Sequence, residues 1–301
     1  MKVALTGASG FLGPQLVRRL LDKGHAVHVL ARDVERALKG LPAGVSGAFF
    51  DASTPLPPDA LGGAGAVVHL AGEPVAQRWT ESARRRIHDS RVVGTRLLVE
   101  AMQAAGTVRH FVSASAIGYY GGDRGAEPLT ESSAPGEDFL ARVCRDWEAE
   151  AQRAAAADIR TVVARIGVVL HPEGGALKQM LPAFRLGLGG KMGSGQQYMS
   201  WVHRDDTLGL LLFALEQPEL TGPVNVTAPE PVTNADFSRA LGAALHRPAV
   251  LPVPGFALKA ALGEMSEVVL GGQRVLPRRA LEAGYRFQHP ELSEALRTLV
   301  G

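Results

Sequence analysis

Three glycines near the start of the chain are spaced to hold a phosphate. They lie in the run Thr6-Gly7-Ala8-Ser9-Gly10-Phe11-Leu12-Gly13. In such a turn the first glycine permits the tight bend, the second lets backbone approach a pyrophosphate, and the third lets helix and strand pack closely. A helix starting at Leu12 would then point free N–H groups and a partial positive charge at the phosphates. Glycines at this spacing mean little alone. Between an apolar run, Val3–Thr6, and a helical stripe of Leu12, Leu16, Val17, Leu20 and Leu21, they indicate a dinucleotide site. Gly7, Ser9, Gly10, Phe11, Leu12 and Gly13 are therefore expected against the cofactor.

The second apolar run, Ala26–Ala31, ends at Arg32-Asp33, about 20 residues past the turn, where the ribose-reading acid of NAD-binding chains sits. The Arg32 guanidinium suits a 2′-phosphate, which favours NADP. NAD stays open if Asp33 faces the ribose instead. Asp51, after the third run, either reaches the adenine or is a loop acid.

These residues need a scaffold. Val3–Thr6, Ala26–Ala31, Ala48–Phe50, Ala66–Leu70, His110–Ser113 and Thr161–Ile166 read as strands that are apolar nearly throughout, as parallel strands covered on both faces are. Helices are expected in the first crossover, over Glu81–Ala105 and over Asp138–Ala157. Strands alternating with helices imply an α/β fold, a Rossmann-type doubly wound parallel sheet. Past Val169 the chain turns rich in Gly, Leu and Met. Asp205 or Asp206 is expected to cap a helix through Leu215, and Val224–Val226 reads as a last strand. Helices are also expected near Asn234–Leu245 and Phe256–Leu262. We expect residues 1–173 and 203–228 to form the cofactor domain, and 174–202 with 229–301 a smaller substrate lobe.

Of the 301 residues 46% are hydrophobic and 21% charged, with a net charge of +2. That composition is ordinary for a globular protein, and the charge gives no reason to expect nucleic acid as a partner. The single cysteine, Cys144, rules out an internal disulfide and a thiolate metal cluster. No His/Asp/Glu set has metal-ligand spacing, so no metal is expected. No secretory leader or bilayer-length apolar stretch is evident, so a cytoplasmic location without membrane partners is expected. The oligomeric state is open.

The turn TGASGFLG, together with LAGEPVAQRW, ASAIGYYG, MLPAFRLGLGGKMGSGQQYMSWVHRDD and LGGQRVLPRR, resembles the extended, atypical short-chain dehydrogenase/reductase superfamily, in its epimerase family branch (nucleoside-diphosphate-sugar epimerase-like). The likeness runs from end to end. It implies NADP bound by Arg32, by Leu70, Ala71 and Gly72, and by Glu73 and Arg78 in the loop that follows. Ser113 and Ser115, at the end of the fifth strand, fall on the cofactor and catalytic side. In that superfamily a serine holds the substrate oxygen, a tyrosine moves the proton and a lysine lowers the tyrosine pKa. Ser115 matches the serine. The tyrosine–lysine pair is absent, since Leu140 and Cys144 stand at its spacing on an apolar helix face.

Tyr119 and Tyr120 are the substitutes for a proton donor, or else pocket walls. Lys178 is an outside candidate. His203 is a candidate substrate contact or acid–base group, or a bridge between lobes. His69, on a buried strand, reads as a core histidine. Arg84, Arg85, Arg86 and Arg91 form a basic helix, either a solvated face or, through Arg91, a grip on an anionic ligand. Arg165 is placed to meet cofactor or substrate, and Gln196 and Gln197 suit a polar substrate such as a sugar. The expected activity is NADP-dependent oxidoreduction or epimerisation of a small polar carbonyl or hydroxyl compound, with a sugar derivative among the candidates. The alternative is an NADP(H)-binding sensor that has lost catalysis.

Overall fold

The computed structural model describes all residues, Met1–Gly301. Its strands are β1 (Lys2–Thr6), β2 (Ala26–Ala31), β3 (Ser46–Phe49), β4 (Ala66–His69), β5 (His110–Ala116), β6 (Asp123–Leu129), β7 (Arg160–Ile166), β8 (Val168–Leu170), β9 (Tyr198–Met199), β10 (Trp201–His203), β11 (Gly222–Val226), β12 (Val232–Thr233) and β13 (Gly272–Val275). The α-helices are α1 (Gly13–Asp22), α2 (Val34–Leu38), α3 (Glu81–Ala105), α4 (Phe139–Gln152), α5 (Gly175–Arg185), α6 (Arg204–Glu216), α7 (Asn234–Ala244), α8 (Gly255–Leu262), α9 (Ser266–Leu270), α10 (Arg278–Glu282) and α11 (Leu292–Val300).

Seven parallel strands make the central sheet in the order β11-β7-β5-β4-β1-β2-β3. The expected Rossmann-type sheet is thus present. Alternate residues face opposite sides: Val3 and Leu5 enter a core with Leu16, Val29 and Leu208, while Ala4 joins Leu30, Leu98 and Phe111 on the other face. The order reverses between β1 and β4, where Thr6 pairs with His69. Ligands bind outside the strand ends at such a switch point.

The helix ends follow local chemistry. Pro14 sits in the first turn of α1, where its missing N–H has no partner to lose. Thr80 caps α3 by accepting from the Ala83 amide, and Gly106 ends it with φ +63°. Asp138 caps α4 rather than lying within it, and the α-helix stops at Gln152, short of the expected Ala157. α6 is capped by His203, not by Asp205 or Asp206. Asp206 instead is fully buried and accepts from the Tyr285 hydroxyl and from the amides of Gln288 and His289.

Beyond β7 a separate apolar cluster gathers Leu170, Leu177, Phe184, Trp201, Phe237 and Leu296. The C-terminal stretch does not stay within that lobe. Ala280 lies in the core under the main sheet, with Tyr285 and Phe287 packed against it. The ladders β6–β13 and β8–β10 tie the two parts together, while β9–β12 lies within the lobe. No helix is long and apolar enough to cross a membrane.

Candidate functional site

The glycine turn is built as tightly as its sequence implies. Gly7 has φ +75°, and a Cβ there would stand 2.9 Å from the Leu70 carbonyl carbon. A Cβ on Gly13 would lie 2.3 Å from the Gly7 oxygen, so only glycine lets α1 begin where it does. Gly10 and Ser9 are exposed, and no side chain caps the start of α1 at Leu12. Its first amides are therefore open to an anion. Behind the turn the Thr6 hydroxyl accepts from the amides of Leu70 and Ala71, both at 3.1 Å. Its own proton then goes to His69 Nδ1, 2.7 Å away. Burial, with the Arg91 charge nearby, holds the His69 pKa down at about 4. His69 is thus a neutral core histidine that fixes the loop Leu70–Gly72 beside the turn. Phe11 crosses to the other lobe, where a Cβ on Gly174 would meet its ring at 2.2 Å.

At the end of β2 a surface depression of about 470 Å³ is lined by Ser9, Arg32, Arg36 and Lys39 among others. Asp33 lines it as well, with its Oδ1 accepting from the Arg36 amide and capping α2. Three cations thus stand in this corner against one acid, one of whose oxygens is engaged in the cap. Arg36 and Lys39 escaped the sequence reading because α2 did. Their signal was a cap residue, Asp33, followed by an Arg32–Arg36 pair one helical turn apart. Asp51 spends its Oδ1 on the amides of Ser53 and Thr54; it closes its own loop and makes no bond toward the turn.

From Gly72 onward a cleft of about 320 Å³ opens over the C-terminal ends of β5 and β7. Ser115 lies in its floor, and Leu140, Cys144, Trp147, Ile166 and Val168 are among its walls. The positions that the superfamily gives to tyrosine and lysine thus do face the cleft, but as Leu140 and Cys144. Burial and the nearby Glu148 push the Cys144 thiol up to about 12, so it is not a thiolate nucleophile. Arg91 lines the cleft as well, with its guanidinium 5.3 Å from the Trp147 ring centroid and donating to the Glu73 and Ile87 carbonyls. Arg78 is exposed in the preceding loop and the Glu73 carboxylate faces Arg86 at 3.5 Å; neither lines the cleft. Ser113 is fully buried, its hydroxyl bonded to the Ala114 carbonyl.

Several candidate residues are committed elsewhere. Ser115 donates to Glu148 Oε1 at 2.6 Å, a residue the sequence reading missed. Its signal was an acid at the i+8 position of the apolar stripe Leu140–Cys144, where a charge needs a buried partner. Arg165 supplies it, bonding both Glu148 oxygens at 2.9 and 2.8 Å. Arg165 is 3% exposed and meets neither cofactor turn nor cleft. Tyr120 is wholly buried, its hydroxyl donating to Asn225 at 2.7 Å and accepting from Arg165 at 3.0 Å. Burial pushes its phenol up to about 12, so it is no proton donor to the cleft. Tyr119 stacks on the Arg165 guanidinium, 3.4 Å from ring centroid to carbon, and also stays out of the lining.

The expected polar substrate contacts also lie apart from the cleft. Gln197 is buried and bridges the carbonyls of Met192 and Val269. Gln196 is exposed. His203 is buried, accepts from the Asp205 amide, and lies 3.8 Å from the His289 ring. Burial, and then His289, pull its pKa down to about 4. His203, Asp205 and His289 bring possible metal-ligand atoms within 4.8 Å of one another, which sequence spacing did not reveal. The Asp205 carboxylate, however, is paired with Arg19 and His203 Nδ1 is taken.

Comparison with known proteins agrees with this architecture. Residues 3–227 match the NAD dependent epimerase/dehydratase family, and residues 253–299 match a domain of unknown function, DUF1731. The chain is 43% identical to "Epimerase family protein SDR39U1 homolog, chloroplastic" of Arabidopsis thaliana, over 100% of this chain and 87% of that one. It is 37% identical to epimerase family protein YfhF of Bacillus subtilis, over 100% and 98%. The crystal structure of human epimerase family protein SDR39U1 (isoform 2) with NADPH superposes with a TM-score of 0.86 at 34% identity, covering 100% of this chain and 99% of that one. The chain belongs to the NAD dependent epimerase/dehydratase family.

Proposed function

We propose that this protein is an NADP-dependent oxidoreductase or epimerase-like enzyme acting on a small molecule with a carbonyl or hydroxyl group. The observation that carries the reading is the cationic corner of Arg32, Arg36 and Lys39, with one Asp33 oxygen engaged in the α2 cap. Three cations against a single, partly engaged acid match a 2′-phosphate better than an unphosphorylated ribose. The cradle fits the rest of a dinucleotide, since Cβ-free Gly7 and Gly13 leave room for backbone and the α1 amides meet the diphosphate. NADPH in the human relative's structure supports the same choice.

When bound, a nicotinamide supplies hydride exchange. The chain's part is to orient the substrate and move a proton. Ser115 holds the substrate oxygen over the cleft floor. A substrate hydroxyl proton passes to Oγ as the Oγ proton passes to the Glu148 carboxylate, 2.6 Å behind it. Leu140 and Cys144 in the cleft wall favour a second reading, an NADP(H)-binding sensor without turnover. Calorimetry on cofactor-stripped protein tests the shared part: NADPH is expected to bind at least about tenfold tighter than NADH, and no heat from either removes the proposal. Nicotinamide absorbance with a panel of alcohols and carbonyl compounds then separates enzyme from sensor.

A further inference from the structure

We infer that the cleft beside Ser115 takes a compact, largely apolar molecule that brings a hydroxyl to Ser115 and an anionic group to Arg91, and not a nucleoside-diphosphate sugar. This rests on the reading that the glycine turn and Arg32 corner hold NADP.

The polarity of Ser115 is decided from behind. Its proton goes to Glu148 at 2.6 Å, and Arg165 donates to both oxygens of that carboxylate, which is thus held as an acceptor on every side. Ser115 Oγ therefore offers lone pairs to the cleft. A hydroxyl satisfies it, whereas a bare carbonyl does not.

The rest of the lining gives a sugar little to bind. Trp79, Phe139, Leu140, Val143, Trp147 and Val168 are among its walls. Two of its polar neighbours are already in use: Asp138 caps α4 and accepts from the Gly122 amide, and Gln273 donates to the Gly121 carbonyl; the Glu267 carboxylate lies on the exposed side of the lining. Several sugar hydroxyls would be left without partners, at a cost for each one desolvated. A volume of about 320 Å³ is also at the lower end for ligand pockets.

Arg91 is the one cation in this lining, whose acids are the capping Asp138 and the exposed Glu267. It forms no ion pair with any carboxylate, and only Nη1 is bonded, to the Glu73 and Ile87 carbonyls. Nη2 and Nε remain for a ligand. The guanidinium lies between Gly72, where a Cβ would meet it at 3.0 Å, and the Trp147 ring. A half-buried cation with free donors in an apolar cleft selects an anion. The anionic groups of the dinucleotide are met elsewhere, at the glycine turn and the Arg32 corner.

The test uses NADP⁺-loaded protein and tryptophan fluorescence, since Trp79 and Trp147 line the cleft. Mandelate, 2-hydroxy-4-methylpentanoate, phenylacetate, benzyl alcohol and UDP-glucose are titrated in turn. The hydroxy acids are expected to quench saturably, mandelate at least about tenfold tighter than phenylacetate or benzyl alcohol, and UDP-glucose not at all. Arg91→Met is expected to reduce mandelate binding to the benzyl alcohol level, with NADPH affinity by calorimetry held within about twofold. Saturable UDP-glucose binding overturns the inference. So does equal binding of the three aromatic probes, no quenching by any probe while NADPH still binds, or a loss of NADPH affinity in Arg91→Met. Absent NADPH heat in the unaltered protein is a different failure, that of the underlying cofactor reading.

Discussion

The Ser115 hydroxyl and the Glu148 carboxylate lie 2.6 Å apart at the floor of the cleft, and Arg165 grips the same carboxylate from the far side. Removing one member leaves a buried charge alone. Glu148→Gln is expected to destabilise the fold by about 3–5 kcal/mol, read by urea denaturation. A Glu148→Gln/Arg165→Met double variant should recover part of that loss. A cost for Glu148→Gln below about 1 kcal/mol would show that the pair is not desolvated as described.

The two neighbouring tyrosines should behave differently. Tyr120→Phe strips Asn225 and Arg165 of a buried partner and is expected to cost about 1–3 kcal/mol. Tyr119→Phe should stay within about 0.5 kcal/mol, because its hydroxyl makes no such bond. Both variants should keep NADPH binding and any turnover. A turnover lost in Tyr119→Phe with unchanged stability would return that phenol to the chemistry.

Cofactor choice should reside in the corner at the end of β2. Arg32→Ala, and more so Arg32→Ala/Arg36→Ala, should weaken NADPH by about 10- to 100-fold, the worth of one or two charge-assisted bonds. NADH affinity should barely move. Parallel calorimetric titrations check this, and equal losses for both dinucleotides would contradict a 2′-phosphate contact.

His69 should make stability sensitive to mild acid. Buried and held at about 4, it stays neutral in the folded chain while the unfolded chain, near 6.5, takes up a proton. Its contribution is complete above about pH 6.5 and is lost as pH falls toward 4, with a span on the order of 3 kcal/mol. His69→Asn, which retains an acceptor for the Thr6 hydroxyl, should reduce the slope of the stability profile between about pH 6.5 and 4.5, with His203, also held at about 4, keeping part of it. Chemical denaturation across that range measures the slope, and an unchanged slope would assign the acid sensitivity elsewhere.

What could be read from the residues alone was whatever local pattern decides. The glycine turn, the apolar strands of the main sheet and α3, with its expected ends at Glu81 and Ala105, all rest on spacing within a few residues. The ladders β6–β13, β8–β10 and β9–β12 pair segments of two to seven residues whose partners lie far along the chain, and no periodicity announces them. The site divides in the same way. Gly13 and Arg32 act through their own backbone and charge. Tyr120, Arg165 and Gln197, candidates for reaching a ligand, are buried and bond residues distant in sequence, and the buried His203 is held by the Asp205 amide. Only the fold reveals that a polar side chain is already taken.

The carboxylate of Asp206 sits beneath α6 and receives one hydroxyl and two amides from Tyr285, Gln288 and His289, while Ala280 enters the core under the main sheet. Residues 3–227 and 253–299, though matched by different family models, are consequently not independent folding units. Cutting the chain after the first would strand an ionised group in the interior with no donors and uncover apolar floor beneath the nucleotide fold. The distal segment thus has two duties, one side facing the cleft through Glu267, Val268 and Gln273 and the other completing the core through Ala280.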